Sequence, residues 1–280
     1  KTKMGVQLAK LLDGEIINAD STQVYKNLDI ATAKIKESEK QNIPHHLFNI
    51  RDINENYTVY DYQKDCRKKI AEILSRHKTP ILVGGTGLYI KAALYDYKFE
   101  EENNNDQFEN LTNEEIYDRL KKIDSDITIH KNNRKRLVRA LNYCLNNNCK
   151  ISSKEKTNEL LYDTVFIGLT TDRDILYERI NQRVDAMFQE CLLDEAKTIF
   201  DLGIRTKAVM TPIGYKELFP YFTNDATLEE CCDLIKRNSR KYAKRQYTWF
   251  NNQMKVVWFN VNFKDFSKTI DEVYEYIKKH

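Results

Sequence analysis

Two short segments, residues 15–19 and 81–83, have the character of buried strands, and each ends abruptly in residues of a different kind. The first is followed by four polar side chains: Asp20, Ser21, Thr22 and Gln23. The second is followed by three glycines and a threonine at residues 84–87, and then by a helical pattern. Continuous apolar runs such as Ile-Leu-Val are typical of strands buried on both faces of a parallel sheet. The sequence therefore predicts an α/β fold with a parallel sheet flanked by helices.

The position of Asp20 directly after a strand favours a functional role for its carboxylate. In an open α/β sheet, ligands bind outside the carboxyl ends of the strands, so the Asp20 side chain would point into a cleft. The alternative is a helix N-cap, because Asp and Ser favour that position. Both interpretations fit this stretch taken alone, and the motifs below favour the first.

Residues 84–87 form a candidate anion-binding turn before a helix predicted over residues 88–97. Backbone amides at a glycine-rich helix start suit an anion, although a plain strand–helix turn is the alternative. Lys1 and Thr2 open an amphipathic helix, as the last two residues of a phosphate-binding P-loop do. The glycines and the strand of a P-loop are not in this sequence, so we expect a chain truncated within that loop. An arbitrary start of the chain is the alternative.

The order and spacing of eight motifs resemble those of the tRNA dimethylallyltransferase (tRNA isopentenyltransferase) family. The likeness runs from Lys1 to about Trp249. The motifs that carry it are DSTQVY at 20–25, DIATAK at 29–34, PHH at 44–46, VGGTGLY at 83–89, RKRLVRAL at 134–141, RINQRV at 179–184, IGYKE at 213–217 and AKRQYTW at 243–249. The resemblance implies a P-loop NTPase-like fold with nucleotide-type phosphate binding and a small all-α insertion domain.

The resemblance also implies a reaction. A dimethylallyl group would move from dimethylallyl diphosphate to the exocyclic amine of the tRNA adenosine 3′ of the anticodon. In this sequence, Asp20 would accept the proton of the amine, and Thr86 would hydrogen-bond the bridging oxygen of the diphosphate. Lys1, Thr2 and the catalytic Arg183 would bind the diphosphate, with Mg²⁺ near Thr2, because stabilisation of developing charge is usually the largest catalytic contribution. The alternative for Arg183 is an exposed helix position with local salt bridges.

We predict a catalytic core of residues 1–100 and 161–280 and a helical insertion of residues 101–160, which has no strand pattern. Its polar start, residues 100–106, is predicted to be mobile. The resemblance implies that the insertion helps to grip the anticodon arm. A helix predicted from Thr227 through Trp249 carries a basic stripe that suits RNA phosphates, and we interpret its aromatic residues as core. The predicted tRNA-binding residues are Asp20, Ser21, Thr22, Gln23, Lys135, Arg136, Leu137, Val138, Arg139, Thr211, Pro212, Ile213, Gly214, Tyr215, Lys216, Arg240 and Lys244.

Two further elements are predicted between the motifs. A strand is expected over residues 47–50. A helix is expected over residues 58–77, with Leu74 in its buried stripe and with Arg67 and Arg76 on its solvated face.

The composition limits other functional classes. The net charge is only +3, so RNA binding has to come from local basic patches. The six cysteines are irregularly spaced without a C-x-x-C pair, which argues against a zinc site or a disulfide framework and favours a reducing compartment. No apolar run approaches the length of a membrane span. We therefore expect a cytoplasmic monomer without membrane association.

Three alternatives remain open at this stage. A P-loop nucleotide or small-molecule kinase would share Lys1, Thr2 and the sheet, but would not need the basic residues at 134–139 and 237–244. A non-catalytic RNA-binding domain would bind tRNA without transferring a group. An adenylate dimethylallyltransferase would use free AMP, which the basic insertion argues against.

Overall fold

The computed structural model describes residues 1–99, 108–153 and 159–280, and the chain divides into two compact units. Unit 1 comprises Lys1–Tyr95 and Leu160–His280, and unit 2 comprises Asp96–Glu159. The segment predicted to be mobile, residues 100–106, lies outside the described residues.

Unit 1 is built on parallel strands. β1 (Gly14–Ala19) lies between β2 (His45–His46) and β3 (Thr79–Gly84), and both pairings are parallel. A second parallel pair joins β4 (Ile167–Thr170) to β5 (Val257–Asn260). β1 is buried along its whole length, as expected for a strand covered on both faces. The predicted α/β class is therefore confirmed, although the strands that the structure describes form two hydrogen-bonded groups rather than one continuous sheet.

The strand predicted over residues 47–50 is wrong. The chain pairs with β1 earlier, at β2, where the amide of Ile16 donates to the carbonyl of Pro44 at 2.9 Å. Leu47 and Asn49 then have φ angles of 63° and 54°, in the left-handed region that interrupts an extended strand.

Helices cover the strands and connect them. In chain order the described helices are α1 (Thr2–Leu11), α2 (Glu37–Lys40), α3 (Val59–Leu74), α4 (Gly87–Leu94), α5 (Asn113–Ile123), α6 (Arg134–Asn147), α7 (Arg173–Gln189), α8 (Leu192–Asp201), α9 (Lys207–Met210), α10 (Tyr215–Phe222), α11 (Leu228–Gln253) and α12 (Phe266–Lys279). Thr58, Thr112 and Thr227 begin α3, α5 and α11 with capping boxes, which satisfy backbone amides that lack helical partners. No helix in the described parts of the chain is long and apolar enough to cross a membrane.

α3 buries one face against the core of unit 1. Tyr62, Cys66 and Ile70 recur at helical spacing and are at most 2% exposed. Leu74 is 48% exposed, so its assignment to the buried stripe is wrong. The helix ends at Leu74 instead of continuing to residue 77, and its last turn leaves the core.

Two arginines of this segment make structural contacts instead of facing solvent alone. Arg67 donates three hydrogen bonds of 2.7–3.1 Å to backbone carbonyls at the C-terminal end of α4, those of Ala92, Ala93 and the C-cap residue Tyr95. These carbonyls lack intrahelical donors. Arg76 donates to the buried carboxylate of Glu15 at 2.7 Å. The prediction of a merely solvated face is wrong for both residues.

Unit 2 has a small core of its own. α5 packs against α6 through Ile116, Leu120, Leu137 and Leu141, each at most 1% exposed. The part of unit 2 that the structure describes contains helices and turns but no strand.

Candidate active site

β1 and β3 end side by side, and this brings two sequence motifs to one edge of the sheet. Their last paired residues are Ala19 and Gly84, and the amide of Thr86 donates to the carbonyl of Ala19 at 3.1 Å. A Cβ at Gly84 would lie 2.1 Å from that carbonyl oxygen, so the close approach of the two backbones requires glycine. Asp20 and the glycine turn at residues 85–87 therefore leave the sheet next to each other.

Asp20 forms a turn and does not cap a helix. Its Oδ1 accepts hydrogen bonds from the amide and the hydroxyl of Thr22 at 2.9 and 2.7 Å. Residues 20–36, all of them described, contain no helix, so the N-cap interpretation is wrong. Among the described residues, none donates a hydrogen bond to Oδ2 of Asp20, which leaves this oxygen available to a ligand.

Asn18, a buried polar residue of β1, holds the Asp20 turn in place. Its Oδ1 accepts from the amide of Asp20 at 2.9 Å, and its Nδ2 donates to the carbonyls of Asp20 and Leu47 at 3.1 and 3.0 Å. Both ends of the buried amide are thus satisfied. Sequence reasoning missed Asn18, although a single amide side chain within a buried strand was a visible signal.

The Thr86 hydroxyl lies against Ser21 at the start of α4. It accepts from the amide of Ser21 at 3.0 Å and donates to the Ser21 hydroxyl at 3.2 Å. It makes no capping bond to α4. A hydroxyl carries one hydrogen and two lone pairs, so Thr86 can turn its hydrogen from Ser21 to an incoming ligand while the Ser21 amide still holds its oxygen.

Lys1, Asp20 and Arg183 are among the charged residues that line a cavity of about 2290 Å³ in unit 1. Burial lowers the pKa of the Lys1 ammonium, Asp20 opposes this shift, and Arg183 adds to it. Burial also lowers the pKa of Arg183, again against the effect of Asp20. Lysines and arginines outnumber aspartates and glutamates in the lining of this cavity, and this positive balance suits an anion.

The oxygen donors near Thr2 fit a magnesium ion that shares its ligands with a substrate. Thr2 and Asp20 are both among the residues that line this cavity. Mg²⁺ is usually bound through one or two carboxylates plus substrate phosphates, not through a dedicated protein cage. No group of three or more His, Cys, Asp or Glu residues in the described ranges could hold a metal by itself.

α11 supplies two contacts to the glycine turn that sequence reasoning missed. Gln246 donates from Nε2 to the carbonyl of Gly85 at 2.9 Å. The Trp249 ring covers Gly87, where a Cβ would lie 2.1 Å from the ring. The signal was the spacing of Gln246 and Trp249, three residues apart on one helical face.

The aromatic residues of α11 divide into two sets. Trp249 and Phe250 pack against the core of unit 1, as predicted. Tyr242 and Tyr247 are 37% and 45% exposed and line the cavity, so the interpretation as core residues is wrong for these two. Burial and the Asp20 carboxylate raise the pKa of the Tyr242 phenol.

Two predicted tRNA-binding residues have side chains that cannot reach an RNA. Tyr215 is fully buried and donates its hydroxyl hydrogen to Glu195 at 2.7 Å. Leu137 is fully buried in the core of unit 2, and Val138 packs against the same cluster. A side-chain contact with tRNA is therefore excluded for Tyr215 and Leu137, because their apolar surfaces close the two cores.

Glu195 holds the loop of the DIATAK motif. Its carboxylate accepts four hydrogen bonds of 2.9–3.1 Å from the backbone amides of residues 29–31. Lys34 of the same motif donates to the carbonyl of Tyr25 at 2.7 Å and to Oδ1 of Asp29 and of Asn49, both at 2.6 Å. This motif is thus fixed by its own contacts, and nothing in the sequence linked Glu195 to it.

Of the remaining predicted tRNA contacts, Pro212 and Gly214 are buried, and the amide of Gly214 donates to Glu217 at 2.8 Å. The others are exposed or partly exposed. Gln23 donates to the carbonyl of Thr32 at 2.9 Å, and Arg240 donates to Asn181 at 2.7 Å. Lys135, Arg136 and Arg139 are exposed on α6. The lining of the unit 1 cavity includes Ser21, Thr22, Gln23, Thr211, Pro212, Ile213, Lys216 and Lys244. Their contacts with RNA stay predictions.

The sequence profile described as "IPPT: IPP transferase" matches residues 23–253. A protein from Anoxybacillus flavithermus named tRNA dimethylallyltransferase is 46% identical over 287 residues, which cover 99% of this chain and 92% of that protein. A protein of the same name from Bacillus subtilis is 47% identical and covers 93% of this chain and 87% of its own length.

Solved structures show the same relationship. The full-length tRNA isopentenylpyrophosphate transferase from Bacillus halodurans superposes with a TM-score of 0.77 at 42% identity, over 100% of this chain and 92% of that one. A eukaryotic dimethylallyltransferase acting on tRNA superposes with a TM-score of 0.80 at 31% identity, over 92% of this chain and 70% of that one. The chain therefore belongs to the IPP transferase family.

Proposed function

We propose that this chain is a tRNA dimethylallyltransferase. It transfers a dimethylallyl group from dimethylallyl diphosphate to the exocyclic amine of the adenosine 3′ of the tRNA anticodon. The observation that carries the proposal is the placement of a carboxylate and two cations, those of Asp20, Lys1 and Arg183, on one cavity. The Thr86 hydroxyl lies next to them, bonded to Ser21. The names of the relatives supply the substrate class.

Each of these side chains has a role in the reaction. The allylic C–O bond breaks, the amine nitrogen forms the new N–C bond, and diphosphate leaves with the bonding electron pair. Asp20 accepts the proton that the amine loses, through the oxygen that its own turn does not use. Thr86 turns its hydroxyl hydrogen to the bridging oxygen of the diphosphate. Lys1 and Arg183 stabilise the charge that develops on the leaving group.

Thr2 would hold a Mg²⁺ ion together with oxygens of the diphosphate, which leaves Asp20 free to accept the proton. When bound, the ion would add positive charge at the leaving group.

The tRNA would be bound by both units. The target adenine has to leave its stack to reach the cavity, as bases do in other enzymes that act on them. Asp20, Ser21, Thr22 and Gln23 would contact it there. Lys135, Arg136 and Arg139 of unit 2 would bind phosphates of the anticodon arm, and Arg240 and Lys244 of α11 would do so in unit 1.

A single chain contains every residue that this scheme uses, so we propose that a monomer suffices. The six free thiols and a tRNA substrate favour a cytoplasmic location.

The test is a transfer assay with purified protein, Mg²⁺, dimethylallyl diphosphate and unmodified tRNA, read by mass spectrometry of the digested RNA. We expect prenylated adenosine from the wild type. Asp20→Ala should lower kcat by about 10²–10⁴-fold with tRNA affinity within about twofold, because a positioned base contributes that much. Asp52→Asn, which alters an exposed carboxylate paired with Lys26, is the matched control.

Absence of product from the wild type with every tRNA tested would overturn the proposal. Near-normal turnover by Asp20→Ala would overturn the role of Asp20 alone.

A further inference from the structure

Gln246 contacts two parts of the site with opposite ends of its amide. Its Nε2 donates to the carbonyl of Gly85 at 2.9 Å, and its Oε1 accepts from Nζ of Lys1 at 3.4 Å. The orientation of the amide is determined, because a carbonyl can only accept and an ammonium can only donate. Gln246 therefore links the start of α1 to the turn between β3 and α4.

The contact between Gln246 and the turn explains why residue 85 is a glycine. A Cβ at Gly85 would lie 1.9 Å from Nε2 and 3.0 Å from Cδ of Gln246, and 3.2 Å from Nζ of Lys1. The φ angle of Gly85 is not in the positive range, so its backbone would accept alanine. The obstacle to a larger residue is thus the side chain of Gln246 and not the conformation of the turn.

Gln246 also satisfies Lys1 without neutralising it. The Lys1 ammonium has only donors, and the amide oxygen of Gln246 accepts one of them at 3.4 Å. A neutral amide oxygen supplies the acceptor and leaves the positive charge available to an anion. A carboxylate in the same place would cancel that charge. It would also face the Gly85 carbonyl oxygen without a hydrogen bond, because neither group can donate.

We infer that Gln246 is a positioning residue for diphosphate binding: it holds the Lys1 ammonium and the Gly85 turn in the geometry that the anion needs. The inference rests on the proposed function for the identity of the anion. Gln246 acts through Lys1 and Gly85, so its loss should affect binding of the diphosphate more than the chemical step.

Inorganic diphosphate with Mg²⁺ is a direct probe, because its binding requires neither tRNA nor transfer. By calorimetry, Gln246→Ala should raise the Kd about tenfold, the effect of one or two lost neutral hydrogen bonds. Gln246→Glu should raise it further, since it removes the same contact and adds a negative charge. The KM for dimethylallyl diphosphate should rise in parallel, with kcat within about threefold of wild type and an unchanged Tm.

Gly85→Ala provides an independent arm. In the wild type it should raise the Kd by about tenfold, because the new methyl group displaces Gln246. In the Gln246→Ala background it should add less than about twofold, because the obstacle is gone. Gln253→Ala is the matched control. It removes another contact of α11, the 3.0 Å hydrogen bond that Gln253 accepts from Lys91 of α4, and should change the Kd by less than about twofold.

Three outcomes would overturn the inference: wild-type affinity in Gln246→Ala, a roughly hundredfold loss in the double variant, or an equal loss in Gln253→Ala. A wild type that binds no diphosphate would overturn it as well. Failure of transfer with the expected binding pattern would overturn the proposed function and leave this inference standing. Transfer without the pattern would overturn this inference only.

Discussion

Asn18 does not line the cavity, yet its three hydrogen bonds determine where the Asp20 carboxylate lies. The amide binds the turn on one side and the carbonyl of Leu47, directly after β2, on the other. A base must be held within hydrogen-bond reach of the proton that it accepts, so a residue that shapes the turn affects turnover without contacting substrate. Glu195 likewise fixes a loop by hydrogen bonds, because its carboxylate accepts from the backbone amides of residues 29–31.

We expect Asn18→Leu to lower the free energy of unfolding by about 1–3 kcal/mol, because it leaves buried backbone groups without partners. It should also lower kcat, since the Asp20 turn loses its support. Urea denaturation and the transfer assay measure the two effects. Asn252→Leu, on the exposed side of α11, should stay within about 0.5 kcal/mol of wild type. A wild-type urea midpoint for Asn18→Leu would contradict this account.

At the scale of elements, one buried carboxylate joins β1 to β2 and to the segment after α3. Oε2 of Glu15 lies 2.7 Å from Nε2 of His46 and accepts from Arg76 at 2.7 Å. Burial raises the pKa of Glu15, but the hydrogen bonds and charges of His46 and Arg76 outweigh it, and the net shift is downward. Helical periodicity predicted Arg76 to be a surface residue. That prediction failed because periodicity does not show which residues lie beside the end of a helix.

A lowered folded-state pKa means that Glu15 stabilises the protein above its unfolded pKa of about 4.3 and loses this effect as the pH falls through the folded value. Glu15→Gln should therefore lower the free energy of unfolding by about 1–3 kcal/mol at neutral pH. The difference from wild type should shrink below about pH 4. Urea denaturation across this pH range measures it, with the exposed Glu272→Gln as control. A difference that is constant with pH would be inconsistent with the ionised carboxylate as its source.

At the scale of the whole molecule, the core of unit 1 joins residues 1–95 to residues 160–280, whereas unit 2 closes its core within residues 96–159. The proposed catalytic residues therefore depend on long-range packing, and the basic surface of α6 does not. This separation allows the proposed contribution of unit 2 to tRNA binding to be tested without disturbing those residues.

The triple variant Lys135→Ala, Arg136→Ala and Arg139→Ala should weaken tRNA binding and reduce the salt slope of log K by about one per lost phosphate contact. The affinity for inorganic diphosphate should not change. Filter binding at several salt concentrations measures the slope, and Lys122→Ala on α5 is the control. An unchanged slope would remove these residues from the tRNA interface.

The sequence by itself determined the parallel α/β class, the strand ends that carry Asp20 and Thr86, and the start of α11 after Thr227. These features follow from local rules: apolar runs, helical periodicity, glycine turns and capping residues. Only the tertiary structure decided that Arg67 binds the end of α4, that Tyr215 is buried, and that Gln246 holds the glycine turn. Gln246 and Gly85 are 161 positions apart, and no local rule relates two residues at that separation. Their contact exists because packing places α11 against the start of α4.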